Sequence, residues 1–454
     1  MENIDPRSQS PTAPPASPVA SAPAPAAAPP PPQATAPSPP TTAPPPPAPT
    51  APVASPAQPP PFRPDPTPRV VNTDKGSHDG LAKCERCGAT EIGLNVASGL
   101  LRCNFCRHEW STERVSETFR SEADIGRLSG IVIGSGSTDI VPSAEQVLTF
   151  KCSACGAEVV IDTRNSTQAR CHWCRNKLST NTQVPNGAVP DMVLPFSMTK
   201  DAAVAAIAAF VGKRKFFAHP KFREEFNAEN VMGVYLPYMV VDINAHAGYI
   251  GQGEHLTRSY NVKRGDDTES RYDADLYDIE RDFDLHIKGL TVESSSERRD
   301  QNVLQNTNNI INTIMPFDVE NAVRYDSNYL AGFTSERRDS NVEDLSSIVQ
   351  TQAEDVSRHS ILKTLGFYDR GVRWGREQVD MRGQRWVAAY LPVWLYSYHE
   401  EKPNGRSFLH YVAVNGRTGE TMGSVPLHQK KLLLTAGAVQ VAGTIVFAIF
   451  QMFG

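Results

Sequence analysis

All eight cysteines of the sequence stand in Cys-x-x-Cys pairs, and the pairs form two units of identical spacing. The first unit contains Cys84, Cys87, Cys103 and Cys106, and the second contains Cys152, Cys155, Cys171 and Cys174. In each unit fifteen positions separate the two pairs, and every cysteine of the second unit follows its counterpart in the first by the same interval. The repeat indicates a duplication within the chain.

Four thiolates from two Cys-x-x-Cys turns are the usual ligand set of a structural zinc site. No basic segment followed by an apolar run marks a secretory signal, so we expect a reducing compartment, where such pairs favour metal over disulfides. Disulfides or free thiols are the alternative. Because the protein would supply all four ligands, no position remains for a catalytic water. We predict two structural Zn²⁺ ions, one in each unit.

Short β-hairpins must position these thiolates. Gly88 and Gly156 directly follow a cysteine pair, where a tight turn can need a positive φ. The spacing predicts strands at 92–96 and 100–102 in the first unit, and at 159–161 and 169–170 in the second. We therefore predict two small β zinc ribbons, at 81–110 and 151–180, whose folding depends on bound metal.

The composition divides the rest of the chain. Of 37 prolines, 27 lie between Met1 and Val70, which predicts a disordered Pro/Ala-rich tail over 1–69. Residues 111–150 are predicted to connect the ribbons. Residues 192–426 have the composition and patterning of an α+β body. The fold class is therefore multidomain.

Within the body, Thr199 is a plausible helix N-cap, and apolar runs predict strands at 234–241 and 277–292. Residues 309–360 are predicted to be mostly helical, and 386–425 to form an antiparallel meander. Weak internal repeats point to two related halves. Leu-Pro-Phe at 194–196 is echoed by Met-Pro-Phe at 315–317, and Tyr-Leu-Pro at 235–237 recurs at 390–392.

The C-terminal segment, 432–454, carries no charge. As a helix it would be about 35 Å long, enough to cross a hydrocarbon core of about 30 Å. Lys430 and Lys431 mark the cytoplasmic end by the positive-inside rule. We expect a single-pass tail anchor in the cell membrane with the bulk of the chain in the cytoplasm. A buried core helix is the alternative.

No enzyme signature stands out. Asp242, His246, Glu254 and His255 lie close in sequence and could line a metal or acid–base site, although solvated hairpin positions are the commoner explanation of such residues. Gly-Ser-Gly at 134–136 lacks the Gly-Lys-Ser/Thr of a phosphate loop and is predicted to be a turn. We predict a non-enzymatic protein and identify no small-molecule substrate.

Nucleic-acid binding is the competing function for a zinc ribbon. The whole chain has a formal net charge of −5, and residues 81–180 contain 12 Lys and Arg against 11 Asp and Glu. This balance disfavours a phosphate-binding surface, which needs clustered positive charge. A local face could still form from basic and aromatic side chains near the cysteines, namely Arg102, Arg107, Arg170, Arg175, Phe105 and Trp173.

Several motifs add a resemblance to a family. They are the two cysteine units, Leu-Pro-Phe-Ser-Met at 194–198, Val-Tyr-Leu-Pro-Tyr-Met at 234–239, and the segments 306–318, 391–396 and 414–420. Over roughly residues 80–426 the chain resembles the bacterial, above all actinobacterial, TFIIB-type zinc ribbon-containing membrane proteins. The resemblance implies adaptors associated with phage-shock-protein-A-like membrane-stress systems. Some members are labelled primosomal-helicase-like, but this sequence contains no helicase core.

Together these features predict a membrane-anchored cytoplasmic zinc-ribbon adaptor that recruits a protein partner at the inner membrane face. The alternative is a membrane-tethered, nucleic-acid-binding zinc-ribbon protein related to replication or transcription.

Overall fold

The structure is a computed structural model. It describes residues 68–73, 83–119, 122–141, 147–151, 158–163, 166–170, 177–179, 186–214, 216, 218–225, 227–264, 267–296, 311–401 and 407–453. The predicted tail up to residue 67 and the second set of cysteines (Cys152, Cys155, Cys171 and Cys174) lie outside these ranges.

The described strands are β1 (Arg69–Val71), β2 (Ile92–Asn95), β3 (Leu100–Cys103), β4 (Glu109–Trp110), β5 (Gly130–Gly134), β6 (Val147–Lys151), β7 (Glu158–Asp162), β8 (Gln168–Arg170), β9 (Lys177–Ser179), β10 (Met192–Val193), β11 (Met232–Arg264), β12 (Asp267–Glu293), β13 (Val323–Arg324), β14 (Thr334–Ser335), β15 (Gly371–Glu401), β16 (Ser407–Asn415) and β17 (Thr421–Gly423). The described α-helices are α1 (Val115–Thr118), α2 (Lys200–Lys213), α3 (Pro220–Glu225), α4 (Val342–Ile361) and α5 (Gln429–Phe453). The fold is a mixed α/β body with small separate sheets.

Two very long strands form the centre of a ten-stranded sheet. Antiparallel β11 and β15 pair from Met232–Leu395 to Glu254–Gly371. The other edge of β15 carries β5, β10 and β16 in turn, and the other edge of β11 carries β14 and then β12. The two Tyr-Leu-Pro motifs face each other across the central pair, because Leu236 pairs with Leu391.

Burial along β11 falls in three stages. Residues 234–245 are all buried, so both faces of the sheet are covered there. From 246 to 249 burial alternates, with Ala247 and Tyr249 inside, as expected where one face is covered. Beyond Tyr249 the strands run out of the core. We call this part, residues 250–264, 267–280 and 371–376, the arm.

Helices cover one face of the sheet. The inner side of α2, which includes Ile207 and Phe210, packs with Tyr235 and Trp394. The α4 residues Leu345, Val349 and Ala353, spaced one helical turn apart, pack against Met239 and Val241 in the same way.

The N-cap prediction for α2 is confirmed. Thr199 Oγ1 accepts a hydrogen bond from Ala202 N at 3.3 Å, so the side chain satisfies one of the backbone donors that the first helical turn leaves free.

One sequence expectation needs correction. Of the segment 309–360, only α4 is α-helical in the described part; residues 311–335 form short 3₁₀ turns and two-residue strands. Within residues 111–150, which were predicted to connect the ribbons, β5 joins the body's sheet beside β15 and buries Val132 and Ile133.

The Gly-Ser-Gly segment is a turn, as predicted, and a side chain of the protein itself fills it. Gly136 N and Ser137 Oγ donate to the carboxylate of Asp191 at 2.7 and 2.6 Å, and Thr73 Oγ1 donates as well. A Cβ on Gly136 would lie 2.6 Å from Asp191 N, so the close approach requires glycine. Burial raises the pKa of Asp191, and these donors partly offset that rise.

Helix α5 is long and apolar enough to cross a membrane by length and composition. Within its candidate span, Gln429–Phe447, none of the residues is buried inside the rest of the protein. In the described residues the body therefore leaves the apolar side chains of α5 largely uncovered.

Candidate metal centre

The first cysteine unit folds into two tight turns that bring their thiols together. In the first turn Gly88 N donates to Cys84 O at 2.8 Å and Gly88 has a φ of +73°. In the second turn Arg107 N donates to Cys103 O at 3.0 Å. Arg107 has a φ of 63°, so it holds the left-handed position that glycine holds in the first turn.

The antiparallel hairpin of β2 and β3 holds the two turns side by side, with Ile92 opposite Cys103. This arrangement matches the predicted strands and turn of the first unit. Because Ile92 and Leu101 are buried in the core of the body, the hairpin is fixed to the main fold.

The four sulfur atoms form one compact cluster. All lie within 4.8 Å of one another, and the Cys84–Cys106 and Cys87–Cys103 Sγ distances are both 3.6 Å. Cys84 and Cys103 are buried, whereas Cys87 is exposed at one side. These residues can hold a metal ion. In a four-coordinate site the four cysteine sulfurs would occupy every ligand position.

The thiols differ in acidity. Burial raises the pKa of Cys103, but backbone N–H groups of Cys106 and Phe105 donate to its sulfur and bring the pKa down to about 7. The Ala89 N–H lowers the pKa of Cys87, but burial and hydrogen bonds with the other three thiols raise it to about 12. Four thiolates this close need a cation before all can be ionised.

The second unit shows the same register where it is described. In the first unit Leu101 pairs with Trp110, and in the second Ala169 pairs with Leu178. Ala169 follows Leu101, and Leu178 follows Trp110, by the same interval that separates the two sets of cysteines. This shared pairing agrees with the duplication seen in the sequence, and the second set of cysteines lies outside the described residues. One difference is that β7 pairs with β6.

A cleft of about 610 Å³ separates the two units. Lys177 spans it from the second unit, donating from Nζ to Ile92 O of the first at 2.8 Å. Arg102 and Arg107 line the same cleft, and Glu91 supplies an opposing charge. Of the basic residues predicted to form a local face, Arg102 and Arg107 line this cleft, whereas the side chains of Arg170 and Arg175 lie outside the described ones.

The four candidate acid–base residues do not converge. All lie on extended β11, so His246 and His255, nine positions apart, are separated by about 30 Å. Asp242 is fully buried and receives hydrogen bonds from Arg385 Nη2 at 2.9 Å and Gly289 N at 2.9 Å. The ion pair links β11 to β15, where Asp242 and Arg385 are opposite each other, and the bond from Gly289 lies at a register shift between β11 and β12. Removing one partner of such a buried pair typically costs about 3–5 kcal/mol.

Two of the four candidate acid–base residues, Glu254 and His255, lie on the arm. Glu254 Oε1 is 3.8 Å from Arg373 Nη2, and the ring of His255 stacks on Phe367 with a centroid distance of 4.2 Å. Glu254 lies eight positions beyond His246 on the extended strand, about 26 Å away, so these side chains cannot share a site with Asp242 or His246.

His246 bridges two carboxylates of β12. Its Nδ1 is 2.9 Å from Asp284 Oδ1 and its Nε2 is 3.1 Å from Asp282 Oδ2. The hydrogen bond with Asp284 and then that with Asp282 raise the pKa of His246 above its ordinary value of 6.5, against the effect of burial. A raised folded-state pKa gives stability that is present below pH 6.5 and is lost as the pH rises through the folded value.

We predict that His246→Gln lowers the free energy of unfolding by at most about 1 kcal/mol at pH 5.5, because the site is partly solvated. At pH 8.5 the loss should largely disappear, because the imidazole is then neutral in both states. Thermal unfolding in detergent at the two pH values measures this. The variant Asp282→Asn/Asp284→Asn, which keeps the histidine, should lose the same pH dependence. Equal losses at both pH values would contradict the prediction.

Sequence patterns did not single out one basic cluster beside α5. Lys431 Nζ lies 4.0 Å from the ring centroid of Phe216, just beyond the end of α2. The sequence feature that could have indicated this cluster is its charge, because residues 202–223 contain five Lys and Arg and no Asp or Glu.

Comparison with known proteins gives one distant relative. The chain is 22% identical over 245 residues to "Uncharacterized protein YdjG" of Bacillus subtilis (strain 168). The match covers 54% of this chain and 65% of that protein, so the chain spans slightly less than two thirds of its relative. No protein-family model matches the chain, and no solved structure matches it significantly. The relative's name assigns no activity.

Proposed function

We propose that this protein is a non-enzymatic, membrane-attached adaptor whose body lies on the cytoplasmic side and recruits a protein partner. The observation that carries the proposal is α5, whose apolar surface the body leaves uncovered. Leu433, Leu434 and Phe450 are each about three-quarters exposed. Such a helix is unfavourable in water and favourable in a bilayer. Lys430 and Lys431, at its start, favour a cytoplasmic body by the positive-inside rule.

The metal we assign to the cysteine cluster is Zn²⁺, with a second ion in the second unit. A tetrahedral zinc site with Zn–S bonds of about 2.3 Å has sulfur atoms about 3.8 Å apart. Two of the sulfur pairs, Cys84–Cys106 and Cys87–Cys103, are 3.6 Å apart and fit that spacing. With four thiolate ligands the ion has a structural role and fixes the ribbon on the body.

The arm is the surface that we propose for recruitment. Along the described β12 its outer edge pairs with no other strand, and Tyr272, Leu276 and Tyr277 are exposed there. Residues 267–280 contain six Asp and Glu against one Arg. The acidic charge is confined to this edge strand, because the whole arm contains seven Asp and Glu against six Lys and Arg. Charge complementarity at the edge therefore favours a partner whose contacting segment is basic. The family resemblance makes a membrane-stress system the setting in which we expect that partner.

Affinity purification from detergent-solubilised membranes tests recruitment. The charge-reversed variant Asp275→Lys/Glu280→Lys should recover its specific partner at least tenfold less than the wild type, because like charges then face each other. The matched control Glu117→Lys/Glu420→Lys makes the same charge change off the arm and should retain the partner. Equal recovery by the wild type and the arm variant would contradict the arm as the recruiting surface.

One observation favours the nucleic-acid alternative. Phe105, within the second cysteine turn, is 79% exposed, and Arg107 follows it closely on the cleft. An exposed ring beside cations could stack on an unpaired base. The full chain in detergent would then bind single-stranded RNA or DNA with an affinity that falls steeply with salt, and Phe105→Ala would weaken it. No binding at low salt would dismiss this alternative.

A further inference from the structure

We propose that the end of α2 and the start of α5 form a basic collar that binds the headgroups of anionic phospholipids. The collar consists of Lys213, Arg214, Phe216, Lys430 and Lys431. This inference rests on the proposed membrane attachment through α5, and adds to it a specific lipid partner.

The two segments of the collar are joined through their backbones. Ala218 and Leu427 form an antiparallel bridge, and His219 N donates to Pro426 O at 2.8 Å. The rings of His219 and His428 stack at a centroid distance of 5.9 Å. The chain leaving α2 is therefore held beside the chain entering α5.

This junction fixes the depth of the cations relative to a bilayer. If α5 spans the membrane, Lys430 and Lys431 lie at the headgroup level where its apolar run begins. Anything paired with residues 426–428 must lie near the same level. Lys213 and Arg214 end helix α2 only a few positions before that pairing, so they reach the same interface.

The side chains are arranged as an interfacial site. Phe216 is 59% exposed and Leu427 is 50% exposed, which places apolar groups beside the cations. Arg214 stacks on Phe210 with its guanidinium carbon 3.6 Å from the ring centroid, and Lys431 lies over Phe216. Aromatic rings and snorkelling cations are the groups that settle at the headgroup boundary.

The positive charge of the collar indicates that its ligand is anionic. Residues 202–223 contain five Lys and Arg without an acid, and no Asp or Glu follows Glu420. Where side chains are described, Lys213, Arg214, Lys430 and Lys431 are exposed and form no ion pair with a carboxylate. Four uncompensated cations at one level fit a negatively charged lipid surface, with each Lys or Arg strengthening binding by about fivefold.

Native mass spectrometry of the full chain in detergent tests the collar. The probes are phosphatidylglycerol and phosphatidylcholine of the same acyl composition, titrated separately. We expect the wild type to retain phosphatidylglycerol in preference to phosphatidylcholine. In Lys213→Gln/Arg214→Gln that preference should fall at least fivefold. The control Lys363→Gln/Arg376→Gln removes the same charge elsewhere and should keep the wild-type preference.

The outcomes separate the collar from the membrane span. An undiminished preference in the collar variant, or no preference in the wild type, overturns the proposal. Equal competition by millimolar inorganic phosphate would mean a free-anion site and also overturns it. Alkaline carbonate extraction of the same variant is run in parallel. If the collar variant stays in the membrane and loses its lipid preference, the collar is supported. If carbonate releases the wild type, α5 does not span the membrane, and the collar loses its basis.

Discussion

Replacing Cys84 by serine is expected to reduce the zinc content from two ions per chain to one. Serine supplies no thiolate, so the first site keeps only three of the four cysteine ligands of its cluster. Structural zinc binding by small domains contributes about 10–16 kcal/mol of apparent free energy, nearly all of which stabilises the folded state. The ribbon formed by β2 and β3 should therefore unfold locally.

That local loss should extend into the body. Ile92 and Leu101 of the ribbon pack in the same core as Tyr329 and Leu330. Each such apolar side chain contributes roughly 1.5–3 kcal/mol when buried. We therefore expect Cys84→Ser to lower the melting temperature of the whole body as well as its zinc content.

Elemental analysis of the purified chain in detergent measures the stoichiometry. Cys152→Ser should also leave one zinc ion, and the double variant none. Ser98→Ala, in the exposed turn of the same hairpin, is the matched control and should retain two. Two ions in Cys84→Ser would refute the first site, and fewer than two in the wild type would refute the pair of ribbons.

The second large effect concerns α5. The segment 432–453 contains eleven Leu, Ile, Val and Phe side chains. At about −0.3 to −0.6 kcal/mol each, these favour insertion by roughly 3–7 kcal/mol. Two arginines near the helix centre would cost about 5–7 kcal/mol and cancel that gain.

We therefore expect Val441→Arg/Ile445→Arg to move from the membrane fraction to the soluble fraction of a cell lysate, a change of more than a hundredfold in the distribution. The control Val441→Leu/Ile445→Leu keeps the helix apolar and should stay with the membrane. Zinc content should be unchanged in both, since the core that holds the described ribbon includes no residue of α5. Membrane retention of the arginine variant would contradict insertion of α5.

Local chemistry made part of this molecule predictable from sequence. The cysteine turns, the helix cap at Thr199 and the apolar run of α5 each depend on neighbours close in sequence. Pattern reasoning also located strands in β11, β12 and β15, but it underestimated their length. The arm is largely polar on both faces, so it lacks the apolar alternation that signals a half-buried strand.

Other features depend on contacts between distant residues. The segment 311–335 has polar, helix-like stretches, yet its apolar residues, such as Tyr329 and Leu330, are drawn into the core as 3₁₀ turns. Asp191 closes the Gly-Ser-Gly turn from far along the chain. The collar exists only because Ala218 pairs with Leu427. No local pattern contains such pairings.

Membrane attachment through α5 is the claim on which recruitment and the collar both depend. Alkaline carbonate extraction of membranes containing the full chain tests it most directly. The protein should remain in the membrane pellet after carbonate and be released by non-ionic detergent. Release by carbonate alone would show that α5 does not span the bilayer and would contradict the proposal.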